Sequence, residues 1–444
     1  MDAIRLTARS RSSWQNGQGR GRFVWLGLIA LLFGMTAPAV PAAEPSEPAS
    51  DHEPEDTRLA NGLTLSSLTG RAQACNPRLS EALAEVNVFR GRAHQALLYP
   101  NPTLSGGAMQ LGGRDSQYYG QVSQELVTKH KLNLDGAAAC REVHQAELRF
   151  LRTRFELLTA VRRDYYTVLA LQRRVIVLDR LITLSSDLAK AGDQLEKAGE
   201  GTRGDTLLFE IELEKAEVSR ANAVAELRAA RRQLATDLGL HDDPDLIVKG
   251  NLLEEPTAVL SIVEAAGFVP RNANVQIAEQ EVDRSRFLLQ RAEVQPFPNV
   301  TVNAGYMRQV VSPYNMAILQ VEIPVPFWNK NQGNICAAQA AVARSQQAVA
   351  RTQLDIAREM ADAIGRFQQS QQQIERYRDR IVPKAKEGVE IVRGGIQGGQ
   401  LELVRLLQAQ RALIDSSLMY LTALETRWKA AADIAGMTQL EQFP

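Results

Sequence analysis

Two residues that could bind a metal ion together stand four positions apart, Cys140 and His144. Side chains at this spacing share one face of a helix, and a thiolate with an imidazole suits Zn²⁺ and similar cations. Two ligands do not complete a tetrahedral site, and the second half of the chain offers Cys336 with Ala340 where another histidine would be needed. The pair is therefore a weak metal-site candidate, and an exposed helix face is the alternative.

No other arrangement of reactive residues stands out. The sequence has no G-x-S-x-G, no H-E-x-x-H and no phosphate-binding loop, and its five histidines are otherwise scattered. Its three cysteines are too few for the disulfide framework of a small secreted domain. The sequence thus predicts neither an enzyme nor a cofactor.

The first 42 residues have the three-part order of an export signal. Five arginines precede the apolar run 23–37, and small residues follow at 40–44, which places the cleavage site after Ala42. A retained membrane anchor is the alternative, although the run is short for a span of about 20 residues. Residues 43–62 are rich in Pro, Glu and Ser and are predicted to form a flexible leader.

Composition favours a mainly helical exported protein. Of 444 residues, 45% are hydrophobic and only 6% are aromatic, while Ala, Leu, Gln, Arg and Glu are abundant. Removing the basic signal from a formally neutral chain leaves a net charge of about −4, with no basic excess to bind phosphate backbones. Nucleic-acid binding is therefore excluded.

The segments that would form the secondary-structure elements, and so position any functional surface, occur in two similar copies. One set of residues recurs about 196 positions later in the chain. The matches include Asn76 with Asn272, Pro100 with Pro296, Pro102 with Pro298, and Gly199 with Gly395. This spacing predicts duplicated units over residues 63–240 and 264–438, joined by a linker at 241–263 and followed by a tail at 439–444.

Each unit is predicted to contain a helix followed by two strands. The helix ends at a P-x-P step, because proline cannot continue helical hydrogen bonding. In the second unit, apolar and polar residues alternate along 299–308 and 316–325, which predicts two strands with one apolar face. In the first unit, the runs 101–113 and 118–126 are rich in glycine and alternate less clearly.

Very long helices follow the strands. Residues 137–191 contain neither glycine nor proline, and as one helix they would extend about 80 Å. Apolar residues spaced three and four apart indicate packing along the whole length. Glycine-bearing turns at 198–206 and 394–404 then reverse the chain into helical hairpins, and Pro383 is expected to kink the second one.

The strands can cross a membrane only in an assembly. Strands of about ten alternating residues cross an outer membrane when they close into a barrel without edges. Four strands cannot close, because the smallest membrane barrels have about 8. The barrel interpretation therefore requires several copies of this chain to pool their strands.

Three stretches carry a family resemblance: LYPNPTLSGG at 98–107, QPFPNVTVNAGY at 295–306 and VPFWNKNQGNI at 325–335. They resemble the TolC family of outer-membrane efflux proteins, and the last is most similar to its CzcC-like subgroup, which serves heavy-metal cation efflux. The resemblance runs from about residue 63 to residue 436. It implies a mainly helical homotrimer with membrane β-structure, in which a shared twelve-stranded barrel stands on a tunnel of helical hairpins.

The resemblance also implies where barrel strands hand over to helices. Pro324 and Pro326 would end strand pairing, and Phe327 and Trp328 would lie near the membrane interface. The other seams would be formed by Pro100, Pro102, Pro296 and Pro298.

In such proteins the hairpin tips face a periplasmic adaptor and an inner-membrane pump of the resistance-nodulation-division type. The docking candidates are the tip glycines, namely Gly199, Gly201, Gly204, Gly395, Gly398 and Gly399. Family members often narrow the tunnel at the tips with acidic side chains, for which Asp205, Glu210 and Glu402 are candidates. Arg405 departs from a purely acidic ring, and ordinary solvated helix charges are the alternative.

The expected function is an outer-membrane exit channel for heavy-metal cations of the cobalt, zinc, cadmium and nickel class, extending into the periplasm. A channel for drug efflux or type I secretion is the first alternative. A periplasmic adaptor-like coiled-coil protein is the second, although adaptors usually carry one hairpin in a β-rich body instead of two similar units. A purely structural coiled coil would have no use for the alternating strands.

Overall fold

Two long helical hairpins and one four-stranded sheet dominate the computed structural model. The structure describes residues 63–112, 115–240, 246–256, 262–311, 314–397, 403–441 and 443. The predicted export signal and leader, residues 1–62, lie outside this part of the chain.

The elements follow one another in the predicted order. The helices are α1 (Leu65–Cys75), α2 (Pro77–Ala96), α3 (Lys131–Ala198), α4 (Arg203–Asp237), α5 (Ile262–Ala266), α6 (Ala273–Val294), α7 (Gln332–Arg376), α8 (Val382–Gln397) and α9 (Leu403–Thr438). The strands are β1 (Thr103–Met109), β2 (Gln117–Leu126), β3 (Val300–Gln309) and β4 (Asn315–Glu322). Both predicted strand pairs form, including the glycine-rich first pair.

The sheet is an antiparallel meander in the order β1-β2-β3-β4. Its register aligns Val122 with Ala304 and Ala304 with Leu319, so residues of like character share one face across the strands. Among the described residues β1 pairs only with β2, and β4 pairs only with β3. One edge of each outer strand is therefore unpaired in the protomer, and these are the edges at which a further strand could add.

The longest helix, α3, contains 68 residues and extends about 100 Å. It is longer than its glycine-free stretch predicts, because Gly136 and Gly192 lie inside it. A methyl group on Gly136 would fall 2.3 Å from Leu97, and one on Gly192 would fall 2.6 Å from Phe209. Both glycines therefore permit close packing within or between elements, and neither ends the helix.

The two halves of the chain begin with the same asparagine clamp. The side chain of Asn76 accepts a hydrogen bond from the backbone N–H of Arg78 at 2.9 Å and donates to the carbonyl of Asp237 at 2.7 Å. Asn272 does the same with the N–H of Asn274 and the carbonyl of Met437, both at 2.9 Å. Each asparagine thus caps an outer helix and joins it to the end of a hairpin helix.

The second hairpin differs from the first at the expected kink. Regular α-helix ends at Arg376, a π-helical turn covers Tyr377–Ile381, and α8 resumes just before Pro383. Proline removes one backbone donor and clashes with the carbonyl four residues earlier, so the wider turn accommodates it. No such turn interrupts α3.

The core lies midway along the helices, where α1, α3, α4 and α9 meet. Tyr166 stacks on Trp428 with ring centroids 4.3 Å apart and planes 7° from parallel. The described part of the linker, 246–256, buries Leu246, Val248 and Leu252 in the same core. The described part of the predicted linker is therefore packed into the core.

Candidate membrane and channel surfaces

One face of the sheet is mainly apolar and exposed, with Arg308 near the end of β3 as a charged residue on it. The side chains there alternate along the strands with half-buried neighbours, as the period of two predicts. The larger members, all 46–80% exposed, are Leu104, Tyr118, Val122, Leu126, Tyr306, Leu319 and Val321. A contiguous apolar sheet face of this size marks a surface that another apolar phase covers.

The opposite face is mainly polar and without lysine or arginine in the described strands. Cross-strand rows on this face align Ser123 with Asn303 and Asn303 with Gln320. A sheet with one apolar and one polar face has the pattern of a membrane barrel, in which the apolar face meets lipid and the polar face meets water.

A hydrogen-bond network fixes the seam between β2 and α3. Lys131 donates from Nζ to the carbonyl of Phe297 at 2.5 Å and to Oδ1 of Asn299 at 2.8 Å. Asn299 in turn donates from Nδ2 to Oε1 of Glu125 at 2.6 Å, and Thr128 Oγ1 donates to the carbonyl of Pro298 at 2.7 Å. The seam therefore joins the start of α3 to the P-x-P step before β3.

Lys131 is only 2% exposed, and burial together with the nearby Arg291 guanidinium lowers its pKa. Glu125 and Asp135 act in the opposite direction. The buried Lys131 ammonium, with nearby carboxylates, therefore holds the carbonyl and the amide that accept its hydrogen bonds in fixed positions. The sequence gives no periodic or motif signal for this role.

The structure puts the predicted seam prolines in extended segments between helix and strand. Pro100 and Pro102 precede β1, and the carbonyl of Pro100 accepts a hydrogen bond from Gln124 Nε2 at 3.1 Å. Pro296 and Pro298 precede β3 in the same way. The prediction that P-x-P ends each outer helix is confirmed by the ends of α2 and α6.

The second seam, between β4 and α7, is longer, and its aromatic rings are exposed. Pro324 and Pro326 follow β4, and the next two residues, Phe327 and Trp328, are 72% and 90% exposed. The rings lie 6.1 Å apart in an edge-to-face pair. Asn331, in left-handed conformation with φ of 63°, then starts α7.

The first hairpin tip is capped by its own residues. Gly199 takes φ of +76° at the end of α3, a conformation that glycine adopts at little cost. Thr202 caps α4 by accepting the N–H of Asp205 at 3.2 Å, and its hydroxyl donates to Oδ2 of Asp205 at 2.7 Å. One of the predicted constriction acids thus belongs to a capping pair.

The remaining tip residues have diverse surroundings. Glu210 lies 3.9 Å from Arg203, which also pairs with Glu196 at 3.4 Å. Gly201 and Gly204 lie in the turn and at the start of α4, whereas Gly395 lies inside α8 and does not follow it as Gly199 follows α3. Arg405 is exposed on the first turn of α9, and Gly398, Gly399 and Glu402 lie outside the described residues.

Cys140 and His144 are both exposed on α3. Within the part of the chain that the structure describes, no group of three or more His, Cys, Asp or Glu residues is placed to hold a metal ion. The geometry therefore adds no third ligand to this pair.

Two arginines are buried at the level of the Tyr166–Trp428 stack. Arg427 donates from Nη2 to the carbonyls of Leu252 at 3.3 Å and Glu254 at 2.7 Å, while Arg162 donates to the carbonyl of Glu441 at 3.2 Å. Burial lowers the pKa of both guanidinium groups. These arginines bind chain segments around the core, and charge counting along the sequence does not distinguish them from surface arginines.

Two carboxyl groups meet between α3 and α4. Asp164 interacts with the neighbouring carboxyl group of Asp237, and Oδ2 of Asp164 is buried without a hydrogen-bond partner among the described residues. Burial and the neighbouring carboxylate raise the pKa of Asp164 to about 7, and burial raises the pKa of Asp237 as well. A proton on one of the two groups removes the repulsion between neighbouring carboxylates, which, together with burial, is why the pKa of Asp164 is raised.

A polar cleft of about 680 Å³ lies beside this pair, between α3, α7 and α9. On its wall Asp433 is held by Arg163 at 3.3 Å and by Arg366 at 3.0 Å, which ties α3, α7 and α9 together. The cleft is lined by charges of both signs and contains no nucleophile–base arrangement among its described residues.

None of the described helices combines the length and apolar character required to span a membrane.

Comparison with known proteins places the fold. Residues 269–438 match the family described as Outer membrane efflux protein. The chain is 26% identical over 381 residues to the cobalt-zinc-cadmium resistance protein CzcC of Cupriavidus metallidurans, covering 84% of this chain and 90% of that protein.

Solved structures share the architecture at low sequence identity. The outer-membrane channel OprN matches with a TM-score of 0.74 at 17% identity, over 84% of this chain and 89% of that one. CusC matches with 0.72 at 16% identity over 84% and 91%, and the outer membrane protein VceC of Vibrio cholerae with 0.72 at 16% identity over 87% and 97%. These likenesses extend over both helical hairpins and the sheet.

Proposed function

We propose, from the premise that this chain belongs to the TolC-like family of outer-membrane efflux channels, that it is the exit duct of a tripartite heavy-metal efflux system. Proteins of this family are transport channels and not enzymes, and they lie in the outer membrane. The observation that carries the proposal is a four-stranded sheet with one mainly apolar and one mainly polar face, followed by the helix α3 that extends about 100 Å.

The barrel would be completed by three copies of the chain. An even number of strands in a meander leaves β1 and β4 antiparallel, so β4 of one copy can pair with β1 of the next in a closed ring. Three copies give twelve strands, above the minimum of about 8 for a membrane barrel. The two unpaired edges of the protomer support this arrangement.

In the assembled channel, Phe327 and Trp328 would lie at the level of the membrane interface, with the seam prolines marking the barrel base. The apolar face of the sheet supports this placement, because it ends where these rings begin. The hairpins would extend into the periplasm and form the tunnel wall. The two units, 63–240 and 264–438, would descend from one duplicated unit, and residues 1–42 would be the export signal.

The hairpin tips would dock a periplasmic adaptor that belongs to an inner-membrane pump of the resistance-nodulation-division type. The turns containing Gly199, Gly201 and Gly204, and 394–404 in the second hairpin, would form the docking surface. Of the candidate constriction acids, Glu210 and Glu402 would face the tunnel with Arg405, while Asp205 would chiefly cap α4.

The cargo would be divalent heavy-metal cations. The relative from Cupriavidus metallidurans is described as a cobalt-zinc-cadmium resistance protein, and similarity to it extends over most of both chains. A duct needs no tight metal site of its own, since the pump selects the cargo. Export of drugs or of secreted proteins is the alternative cargo class, and an adaptor-like role is not favoured by the channel family to which the chain belongs.

The test uses outer-membrane fractions of cells that express the full chain. We expect a three-copy particle after mild-detergent extraction, conductance in a planar bilayer, and loss of cobalt, zinc or cadmium tolerance when the gene is deleted. A soluble monomer without conductance would refute the channel. A conducting trimer whose deletion sensitises cells only to drugs would refute the metal cargo and leave the channel standing.

A further inference from the structure

The ends of the two unpaired strands bring two chain segments side by side when copies of the sheet join. Strand β1 leaves the barrel base at Thr103, and β4 returns to the base at Glu322. If β4 of one copy pairs with β1 of the next, the backbones lie about 4.8 Å apart at this level. The segment after β4 therefore meets the segment before β1 of the neighbouring copy.

The segment after β4, residues 323–328, is apolar and fixed in shape. Its sequence is IPVPFW, and its large side chains are 50–90% exposed in the protomer. Local hydrogen bonds hold it: Phe327 N–H donates to the carbonyl of Val325 at 3.1 Å, and Gln332 Nε2 donates to the carbonyl of Trp328 at 3.3 Å. Pro324 and Pro326 lack the N–H groups needed to continue the ladder, so the segment leaves the sheet.

The segment before β1, residues 97–102, offers a matching surface. Its sequence is LLYPNP, and Leu97, Leu98 and Tyr99 are 47%, 46% and 61% exposed. Neither segment contains a charged residue, so bringing them together removes apolar surface from water without burying a charge. Within one protomer they flank opposite edges of the sheet, and neither covers the other.

We infer that residues 323–328 of one copy pack on residues 97–102 of the next copy, with Phe327 and Trp328 as the anchoring rings, and so hold the subunits together at the barrel base. The inference rests on the proposed shared barrel and adds an apolar contact that would hold neighbouring copies together. Lipid is the other apolar phase available at this depth. The topology favours the neighbouring copy, because strand pairing carries both segments to the same seam.

Cysteine crosslinking tests the contact in the full-length protein. The three native cysteines, which are exposed, are first replaced by serine. Leu98→Cys combined with Trp328→Cys is expected to give covalent dimers and trimers under mild oxidation, because the partners come from different copies. The control combines Leu98→Cys with Ile391→Cys, another exposed residue, which lies on α8, and should stay monomeric on a denaturing gel.

A second measurement leaves Trp328 unchanged and uses its fluorescence. In a Trp428→Phe variant of the exported chain, Trp328 is the only tryptophan after removal of residues 1–42. We expect its fluorescence to be only weakly quenched by phospholipids brominated along their acyl chains, because the neighbouring copy covers the ring. A trimer that shows no crosslink and strong quenching would overturn the contact in favour of a lipid anchor, whereas a chain that forms no trimer would refute the barrel itself.

Discussion

Replacing Asp164 by asparagine should remove most of the dependence of stability on pH between 5 and 8. In the folded protein, burial and the neighbouring Asp237 carboxylate raise the pKa of Asp164 from 3.8 to about 7. The folded state therefore holds a proton that the unfolded chain has already lost. This contribution to stability is fully present below pH 3.8 and is lost as pH rises through about 7.

The magnitude follows from the pKa shift. Between pH 5 and pH 7 the folded pair stays protonated while the unfolded carboxyls do not, so the free energy of unfolding falls by about 1.4 kcal/mol per pH unit, or about 2.7 kcal/mol in all. Because the two carboxyls share the effect and Asp164 is partly exposed, we expect about 2 kcal/mol. Three cations face the pair: Arg78 from α2, Arg163 from α3 and Lys429 from α9. They favour the ionised carboxylates, and the raised pKa values already include their effect.

The amide of Asp164→Asn can donate a hydrogen bond to Asp237 at any pH. At pH 8 the variant should therefore be about 2 kcal/mol more stable than the native protein, and at pH 5 the two should be nearly equal. Denaturant unfolding of the detergent-solubilised protein at both pH values measures the difference. Asp433→Asn is the control: it removes a carboxylate held by two arginines and should destabilise the protein at both pH values.

Two results would refute the reasoning. If the native protein and Asp164→Asn lose stability in parallel from pH 5 to pH 8, the proton is not held by this pair. If the variant is less stable than the native protein at pH 8, the carboxyls do not repel each other when ionised.

Three further substitutions test individual contacts by thermal unfolding in detergent. Asn76→Ala removes the clamp on the end of α4 and should cost about 1–3 kcal/mol; an unchanged melting temperature would mean that water replaces the amide. Gly192→Ala should cost about 1–3 kcal/mol because its methyl group meets an aromatic ring, whereas Gly388→Ala, with open space around it, should be neutral or stabilising; equal effects would contradict the packing. Lys131→Met removes the side-chain donor to the Phe297 carbonyl and leaves Asn299 Oδ1 with the Thr128 N–H, and it should cost about 1–3 kcal/mol. The control Lys129→Met loses only a contact with the Phe297 ring, about 0.5–1 kcal/mol, and a comparable loss in both variants would count against the network.

The long elements could be predicted from the sequence because their signals are strong and local. The P-x-P steps end the outer helices where expected, and the alternating run at 299–308 becomes β3 at Val300–Gln309. The glycine-rich run at 101–113 also forms a strand, although its alternation is weak. Its side chains give a weak strand signal, and pairing with β2 stabilises the extended conformation. Periodicity therefore located the elements, and tertiary pairing decided the less regular one.

Features that depend on contacts between distant segments could not be predicted. Asp164 and Asp237 are 73 positions apart (237 − 164) and look like any two helix acids until α3 and α4 pack together. Gly136 and Gly192 resemble helix breakers, and only the neighbouring side chains show why the helix continues through them. The role of Lys131 cannot be predicted either, since its partners Phe297 and Asn299 lie 166 and 168 positions further along the chain.

The π-helical turn at Tyr377–Ile381 changes which side chains of the second hairpin face a binding partner. A π-turn accommodates one extra residue, which rotates everything that follows by about 100° around the helix axis. The side chains of α8 therefore point in directions that an uninterrupted helix such as α3 would not give them. The helices α3 and α8, one from each hairpin, therefore present different side-chain faces beyond this level, and a partner that binds one of them would meet a different surface on the other.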